Sequence, residues 1–174
     1  MADGSRPDET GAALDSREFR NAMGMFATGV TVVAVQYDDI VRGMTANAFV
    51  SLSLHPAMLL VCIDESASMY PVFQVADSFS VNILAEDQQE VSRSFAARGE
   101  KKEAMGGHAY RSGDLGAPIL DGVLAWAECR VEARHVGGDH LIVVGRVHDF
   151  GIERPEARPL LFYRGQYHAL GEPE

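Results

Sequence analysis

The sequence has few cysteines and no long apolar run, and each scarcity excludes a class of protein. Cys62 and Cys129 are the two cysteines, and both lie in apolar segments typical of strands. We therefore expect two free thiols and no disulfide, as in the reducing cytoplasm, and predict a cytoplasmic protein. The longest apolar run, Ala57 to Ile63, falls far short of the roughly 20 residues that cross a bilayer, so we expect no membrane partner.

Positive charge is also scarce and dispersed. The 174 residues include 15 basic and 25 acidic side chains, giving a net charge of −10, and the only lysines are Lys101 and Lys102. Because binding to a phosphate backbone needs a basic footprint, we expect no nucleic-acid partner.

The sequence predicts one domain that follows a polar N-terminal tail. Residues 1–13 lack the apolar segment of a secretory signal, and their composition predicts a flexible N-terminal tail. Apolar residues make up 47% of the chain, which suffices for one hydrophobic core over residues 14–174.

Residue patterns predict more strands than helices. The first helix is expected to begin at an N-cap Ser16 and to end at Gly29; shorter helices are expected over 66–76 and 87–97, and a loop with little regular structure over 98–118. Predicted strands cover 30–36, 40–46, 58–63, 79–84, 123–136 and 141–150, with a small hairpin or bulged strand over 161–170. Without strict βαβ alternation, the best fit is a mainly antiparallel sheet closed into a barrel, with peripheral helices.

Neutral polar side chains are concentrated between Arg42 and Pro56. Thr45, Asn47, Ser51 and Ser53 offer uncharged donors and acceptors, which suit a planar polar ligand. The alternative is a strand-to-loop transition whose hydroxyl groups cap the local backbone.

Most familiar catalytic patterns are absent from the sequence. No serine lies in GxSxG, no histidines form HExxH, and no GxGxxG connects a strand to a helix. His135, His140 and Asp139 surround a predicted glycine-rich hairpin tip, where a metal triad, a surface histidine and a histidine facing a ligand are the alternatives. We expect no metal site, and an enzyme built from these residues would take its chemistry from a bound cofactor.

Several segments, in this order, resemble the flavin reductase family. They are FATGVTVV, GMTANAFVSLSLHPAMLLVCI, SFSVNIL, SRSFAAR, GGDH and LLFYRGQY. The resemblance spans about residues 16–170 and implies a split β-barrel of Greek-key, antiparallel type with peripheral helices. It also implies an NAD(P)H-dependent flavin reductase that transfers hydride from the nicotinamide to FMN or FAD. Members of this family supply diffusible reduced flavin to a partner monooxygenase and form homodimers.

The resemblance also implies a role for individual residues. The flavin ring and ribityl chain would be lined by Thr45, Ala46, Asn47, Ser51 and Ser53, with further contacts from Ser66 and Ser68. The phosphate would lie near Ser92, Arg93 and Phe95, where Arg93 pairs with it; the alternative is a surface arginine. Gly138, Asp139 and His140 would contact the nicotinamide, with His140 as the catalytic residue. Tyr163 and Tyr167 would lie beside the flavin or at the dimer interface, or serve only as core aromatics.

Some alternatives stay open at the level of sequence. The stretch that follows the SRSFAAR segment lacks the phenylalanine common in similar proteins, which leaves FMN and FAD both open. No basic pocket for a 2′-phosphate is evident, so NADH is favoured over NADPH. A non-catalytic flavin-binding electron carrier, and a direct reductase of another acceptor, are the competing hypotheses.

Overall fold

The computed structural model describes residues 14–97 and 104–171, and about half of these residues lie in antiparallel strands. The predicted tail, residues 1–13, lies outside the described residues. The strands are β1 Thr28–Gly29, β2 Thr31–Tyr37, β3 Ile40–Ala46, β4 Phe49–Leu54, β5 Ala57–Asp64, β6 Ser78–Ile83, β7 Tyr110–Ser112, β8 Pro118–Leu120, β9 Ala125–Gly137, β10 His140–Ile152, β11 Leu161–Tyr163 and β12 Gln166–His168. The helices are α1 Ser16–Met23, α2 Tyr70–Phe73 and α3 Gln89–Ala96, with 3₁₀ turns at Glu86–Gln88 and Ala104–Gly107.

Seven strands form one curved sheet in the order β3-β2-β6-β9-β10-β5-β4. β3 and β4 follow one another in the chain but lie at opposite edges of this sheet. Two residues connect them, and the backbone N–H of Cys62 in β5 donates to the carbonyl of Ala48 in that connection at 3.1 Å. The sheet therefore curls until its edges meet, and the predicted fold class, a mainly β split barrel with peripheral helices, is confirmed.

Strand β2 is buried on both faces and separates two apolar clusters. Its alternate residues Val33 and Val35 pack inside the barrel with Val61, Phe79 and Val143. The residues between them, Val32 and Ala34, face a second cluster that includes Phe95, Met105 and Leu120. This alternation follows from the two-residue period of a strand, and it explains why β2 is a nearly continuous apolar run.

The first helix differs from its prediction at both ends. The carboxylate of Asp15, and not the hydroxyl of Ser16, caps it by accepting the N–H groups of Arg17 and Glu18 at 2.7 and 3.1 Å. The helix ends at Gly24 instead of Gly29, because Thr28 and Gly29 pair with Phe162 and Leu161 of β11. A distant strand thus takes residues that the local pattern assigned to the helix.

The helix predicted over 66–76 is shorter than expected, whereas the helix predicted over 87–97 is confirmed by α3 and its preceding 3₁₀ turn. Only Tyr70–Phe73 is α-helical in the first segment, with Pro71 in its first turn as predicted. Turns occupy the residues before it: the Asp64 carboxylate accepts the N–H of Ser66 at 2.7 Å, and the Asp64 carbonyl accepts that of Ala67 at 2.9 Å. These hydrogen bonds form turns where the sequence predicted the first turn of the helix.

The prediction of an irregular segment over 98–118 is wrong for its last part, where β7 and the first residue of β8 form a small hairpin. The carboxylate of Glu128, in β9, is buried and accepts the N–H groups of Leu115 and Ala117 at 2.9 and 3.0 Å. The connection is therefore ordered by a residue far along the chain. Strand β4 was also missed, whereas the hairpins β9–β10 and β11–β12 are confirmed.

Candidate functional site

A cavity of about 430 Å³ opens between the edge of the barrel and helix α3. Its walls come from β3, from the turn between β5 and α2, from the end of α3 and from the turn before β7. The described lining residues are Arg42, Gly43, Met44, Thr45, Asp64, Ser66, Ala67, Ser68, Met69, Phe95, Ala96, Ala97 and Gly106. A cavity of this size accommodates one small organic molecule.

Strand β3 forms one wall because it is an edge strand that lies against α3. Among the described residues, the outer backbone groups of β3 have no partner strand and form no ladder bonds. The Thr45 hydroxyl donates to the carbonyl of Ser92 in α3 at 2.6 Å. A β-carbon at Gly43 would lie 3.2 Å from the Phe95 ring, tighter than ordinary contact, so glycine allows the helix to approach this closely.

The cavity mixes apolar walls with a few polar groups. Met44, Met69 and Phe95 provide apolar surface, whereas Thr45, Ser66 and Ser68 provide hydroxyl groups. Ser66 and Ser68 are exposed, and no hydrogen bond of either hydroxyl occurs among the described residues. Arg42 is the one cation among the described lining residues. This set suits a largely apolar planar ligand with hydroxyl and anionic substituents.

Four of the predicted cofactor-binding residues line this cavity together: Thr45, Ser66, Ser68 and Phe95. They come from three separate parts of the chain, so the fold brings together residues that the sequence pattern named individually. Phe95 is 4% exposed and its ring packs on His108 at 5.4 Å between centroids.

The predicted nicotinamide segment lies beside the cavity wall. The carbonyl of Asp139 accepts the N–H of Glu65 at 2.9 Å, and His140 pairs in register with Asp64, a lining residue. The Asp139 carboxylate is 2.6 Å from Nδ1 of His140 and holds the imidazole. Gly138 turns the hairpin with a φ of +65°, which favours glycine.

The hypothetical metal triad at this hairpin does not assemble. His135 lies opposite Ile142, two positions beyond His140. Over residues 14–97 and 104–171 no group of three histidine, cysteine or acidic side chains is placed to hold a metal ion.

Ser92, Arg93 and Tyr167 lie together outside the described lining of the cavity. The Ser92 hydroxyl is 2.8 Å from the Tyr167 hydroxyl, and the Arg93 guanidinium lies 5.7 Å from the centre of the Tyr167 ring. Arg93 is exposed and pairs with Glu90 at 2.8 Å. These contacts hold α3 against β12, and none of the three residues reaches the cavity wall.

Four of the remaining predicted residues lie in the connection between β3 and β4 or in the strands that flank it, whereas Tyr163 lies in β11. Ala46 is buried and its carbonyl accepts the Thr31 hydroxyl at 2.6 Å, while Asn47 is exposed in the connection itself. Ser51 and Ser53 lie on the edge strand β4. Tyr163, at the end of β11, packs against His168 at 5.8 Å between ring centroids.

Several lining residues were not selected from the sequence. Arg42 and Gly43 are the first two residues of the polar segment, and an isolated arginine next to a glycine was the available signal. Asp64, Met69 and Gly106 carry no local signal, because only packing between distant segments brings them to the cavity.

Both thiols stay protonated in neutral solution. Burial, reinforced by the neighbouring Glu128 carboxylate, raises the pKa of Cys129 to about 12, and burial raises the pKa of the Cys62 thiol above its ordinary value. Both cysteines are free, as predicted, although Cys62 is only partly buried. Neither one is therefore activated as a nucleophile.

Comparison with known proteins identifies the family. Residues 23–171 match the flavin reductase like domain. The chain belongs to the flavin reductase family. It is 38% identical over 164 residues to the HsaB reductase subunit of a flavin-dependent monooxygenase from Mycobacterium tuberculosis, covering 94% of this chain and 86% of that protein. It is also 38% identical over 153 residues to the FMN reductase (NADH) SmoA of Agrobacterium fabrum, covering 88% and 85%.

A solved structure agrees with the family assignment. The flavin reductase PheA2 in its native state superposes with a TM-score of 0.83 at 42% identity, covering 91% of this chain and all of that one. The resemblance in the sequence motifs is therefore confirmed. The chain is an oxidoreductase of the flavin reductase type. Over the part of the chain that the structure describes, no helix has the length and apolar character to span a bilayer.

Proposed function

We propose that the protein catalyses reduction of FMN by NADH and hands the reduced flavin to a separate monooxygenase. The observation that carries this proposal is the cavity on the edge of β3, which combines apolar walls, free hydroxyl groups and one cation beside the Gly138–His140 hairpin tip. A non-catalytic electron carrier would have no use for this hairpin, and we therefore favour the reductase.

The residues of the cavity fit a bound flavin. Met44, Met69 and Phe95 would contact the ring system, while outer backbone groups of β3 would bond its polar edge. The hydroxyls of Ser66 and Ser68 have no partner among the described residues and would bond the ribityl hydroxyls. When bound, the flavin supplies the acceptor for the hydride of NADH. The protein then has to supply alignment and to limit the access of water.

Thr45 has a positioning role in this scheme. Its proton is committed to the carbonyl of Ser92, so its oxygen faces the ligand only as an acceptor. The bond also fixes the distance between β3 and α3. We propose that Ser92 and Tyr167 act on the site indirectly, by holding α3 through their mutual hydrogen bond.

We propose that the hairpin tip holds the nicotinamide over the flavin site. The Asp139 carboxylate accepts a hydrogen bond from Nδ1 of His140 and restrains the ring, which is 38% exposed and so is accessible to a second ligand. The backbone bond between Asp139 and Glu65 anchors the tip to the turn that lines the cavity.

We further propose a cytoplasmic homodimer. Val50, Leu52 and Leu54 of edge strand β4 are all exposed. A bulge between Ser51 and Ser53 interrupts the alternation of the strand, so Val50 and Leu54 lie on opposite faces of it. Exposed apolar side chains on an edge strand are covered in most proteins, and a second copy of this chain would cover them symmetrically. Ala46, Asn47, Ser51, Ser53 and Tyr163 would then complete the flavin site near that interface.

Anaerobic stopped-flow measurements test the reductase directly. The purified protein is mixed with NADH and an excess of FMN, and bleaching of the visible flavin band is followed; parallel runs use FAD in place of FMN and NADPH in place of NADH. We expect many equivalents of FMN to be bleached per protein. Bleaching of a single bound equivalent, or tight binding without bleaching, would favour the electron carrier. Faster turnover with FAD or with NADPH would revise the choice of reactants.

A further inference from the structure

Arg42 and Arg93 are candidates to bind a phosphate group of a ligand, and they differ in position. Arg93 is exposed, pairs with Glu90 and stacks on Tyr167 away from the cavity. Arg42 is partly buried in β3 and lines the cavity. Arg42 has no ion pair and no hydrogen bond among the described residues, whereas Arg93 has already paired its charge.

Arg42 also lies at a defined place along the cavity. Thr45 contacts Ser92 near the middle of α3, and Gly43 faces Phe95, one turn further along the helix. Arg42 lies on the other face of β3, because it pairs with Val35 of the inner cluster. It lines the cavity at the open edge of the strand, together with Ser66 and Ser68. The backbones of Arg42 and Thr45 are three residue steps apart along the strand, a distance of about 10 Å. An extended five-carbon polyol chain with a terminal phosphate ester spans a comparable length.

Because the protein is negatively charged, the position of Arg42 matters for the binding of an anionic ligand. The chain carries a net charge of −10, and Asp64 contributes a carboxylate to the cavity. An anionic ligand enters such a field only where a local cation compensates it. An arginine fork suits this task because it bonds two phosphate oxygens at once.

We infer that Arg42, and not Arg93, binds the 5′-phosphate of the flavin and makes the protein select phosphorylated flavins over riboflavin. The inference rests on the proposed function and adds a specificity-determining residue to it. Arg42 does not contact the reacting ring atoms in this assignment, so its effect falls on flavin affinity and not on the hydride transfer step.

The test compares the affinities for FMN and for riboflavin, measured by quenching of flavin fluorescence with the full chain. Arg42→Ala is expected to weaken FMN binding about 10- to 100-fold, the effect of losing a charge-assisted hydrogen-bonded pair, and to leave riboflavin binding unchanged. Arg42→Lys keeps the positive charge but loses the forked guanidinium. Its affinity for FMN is expected to lie between those of the parent and of Arg42→Ala. Arg93→Ala is the matched control and is expected to bind both flavins as the parent does. Riboflavin binding also reports whether each variant keeps a folded cavity.

Three outcomes would overturn the inference. Arg93→Ala could lose the preference for FMN while Arg42→Ala keeps it, which would restore the assignment made from the motif. Arg42→Ala could weaken both flavins equally, which would mean a structural role. It could also raise the KM for NADH with riboflavin as acceptor and leave FMN affinity unchanged, which would assign Arg42 to the phosphates of NADH.

The same data separate this inference from the proposed function. A parent protein that oxidises NADH with flavin but binds FMN and riboflavin equally overturns the inference alone. A parent protein that oxidises NADH with neither flavin overturns the proposed function.

Discussion

Two glycines, Gly43 and Gly145, allow close contacts between packed elements. At Gly43 the missing side chain lets α3 approach β3, and at Gly145 it makes room for a core ring. A β-carbon at Gly145 would lie 2.6 Å from the Phe79 ring and 2.8 Å from the β-carbon of Cys129, well inside van der Waals contact. These glycines are therefore required by packing and not by a turn.

Gly145→Ala is expected to destabilise the protein by about 1–3 kcal/mol, the usual cost of overpacking a core. Thermal or urea unfolding measures the change. Gly29→Ala is the control, because Gly29 also lies in a strand but no atom would lie within 4 Å of the added carbon. Equal stability of the two variants would show that the Phe79 ring yields without cost.

His140→Ala is expected to raise the KM for NADH more than it weakens FMN binding. The reason is that His140 lies at the tip of the hairpin beside the cavity and does not line the described flavin cavity itself. Steady-state kinetics and a flavin titration give the two quantities. His148→Ala, on the same strand and exposed, is the control and should change neither. Unchanged kinetics of the first variant would remove His140 from the site.

Contacts between elements decide the position of α3, which forms one side of the cavity. Thr45 and Gly43 fix its distance from β3, and Ser92 ties it to Tyr167 of β12. The 3₁₀ turn before it is held by Arg154, whose guanidinium donates twice to the Asp87 carboxylate at 2.9 Å. The helix is thus fixed at several points along its length.

Asp87→Asn is expected to lower stability at neutral pH by less than about 1 kcal/mol, because the pair is exposed. Its hydrogen bond with Arg154 lowers the pKa of Asp87 below the ordinary value of 3.8. The folded pKa is therefore lower than the unfolded one, so the contribution is complete above 3.8 and is lost as the pH falls through the folded pKa.

Urea unfolding of both proteins between neutral and strongly acidic pH measures this contribution. The difference between parent and variant should disappear at the acidic end of the range. Asp77→Asn is the control, an exposed aspartate without an ion pair in the described part of the chain. A difference that persists in strong acid would mean that Asp87 stabilises the turn without its charge.

The protein as a whole is acidic and mainly β, and its exposed apolar residues are unevenly distributed. Apolar residues on β4 are exposed in the single chain, whereas the barrel interior and the layer beneath α3 are closed. We have proposed that a second copy covers β4.

Leu54→Glu is expected to shift the protein from dimer to monomer, because a charge would be buried in the proposed interface. Sedimentation velocity over a range of concentrations measures the shift. Ile152→Glu is the control. Ile152 is about as exposed as Leu54, at 71% against 77%, but it lies at the end of β10 and not on β4. A monomeric parent protein, or dissociation by the control alone, would contradict the proposed interface.

The sequence by itself determined the properties that depend on neighbouring residues. The nearly continuous apolar run of β2 set its two buried faces, and glycines set the turns between β9 and β10 and between β11 and β12. The order of the motifs identified the family. These features are local, because strand faces and tight turns follow from a few consecutive residues.

Only the tertiary structure decided which residues share a cavity and which elements were misjudged. Arg42, Ser66 and Phe95 are more than twenty residues apart and meet because the barrel closes and α3 packs on its edge. Glu128 orders a distant loop, and β11 takes Gly29 from the predicted helix. No local pattern encodes these outcomes, since each depends on burial and hydrogen bonding between segments that are distant in the chain and become neighbours only after folding.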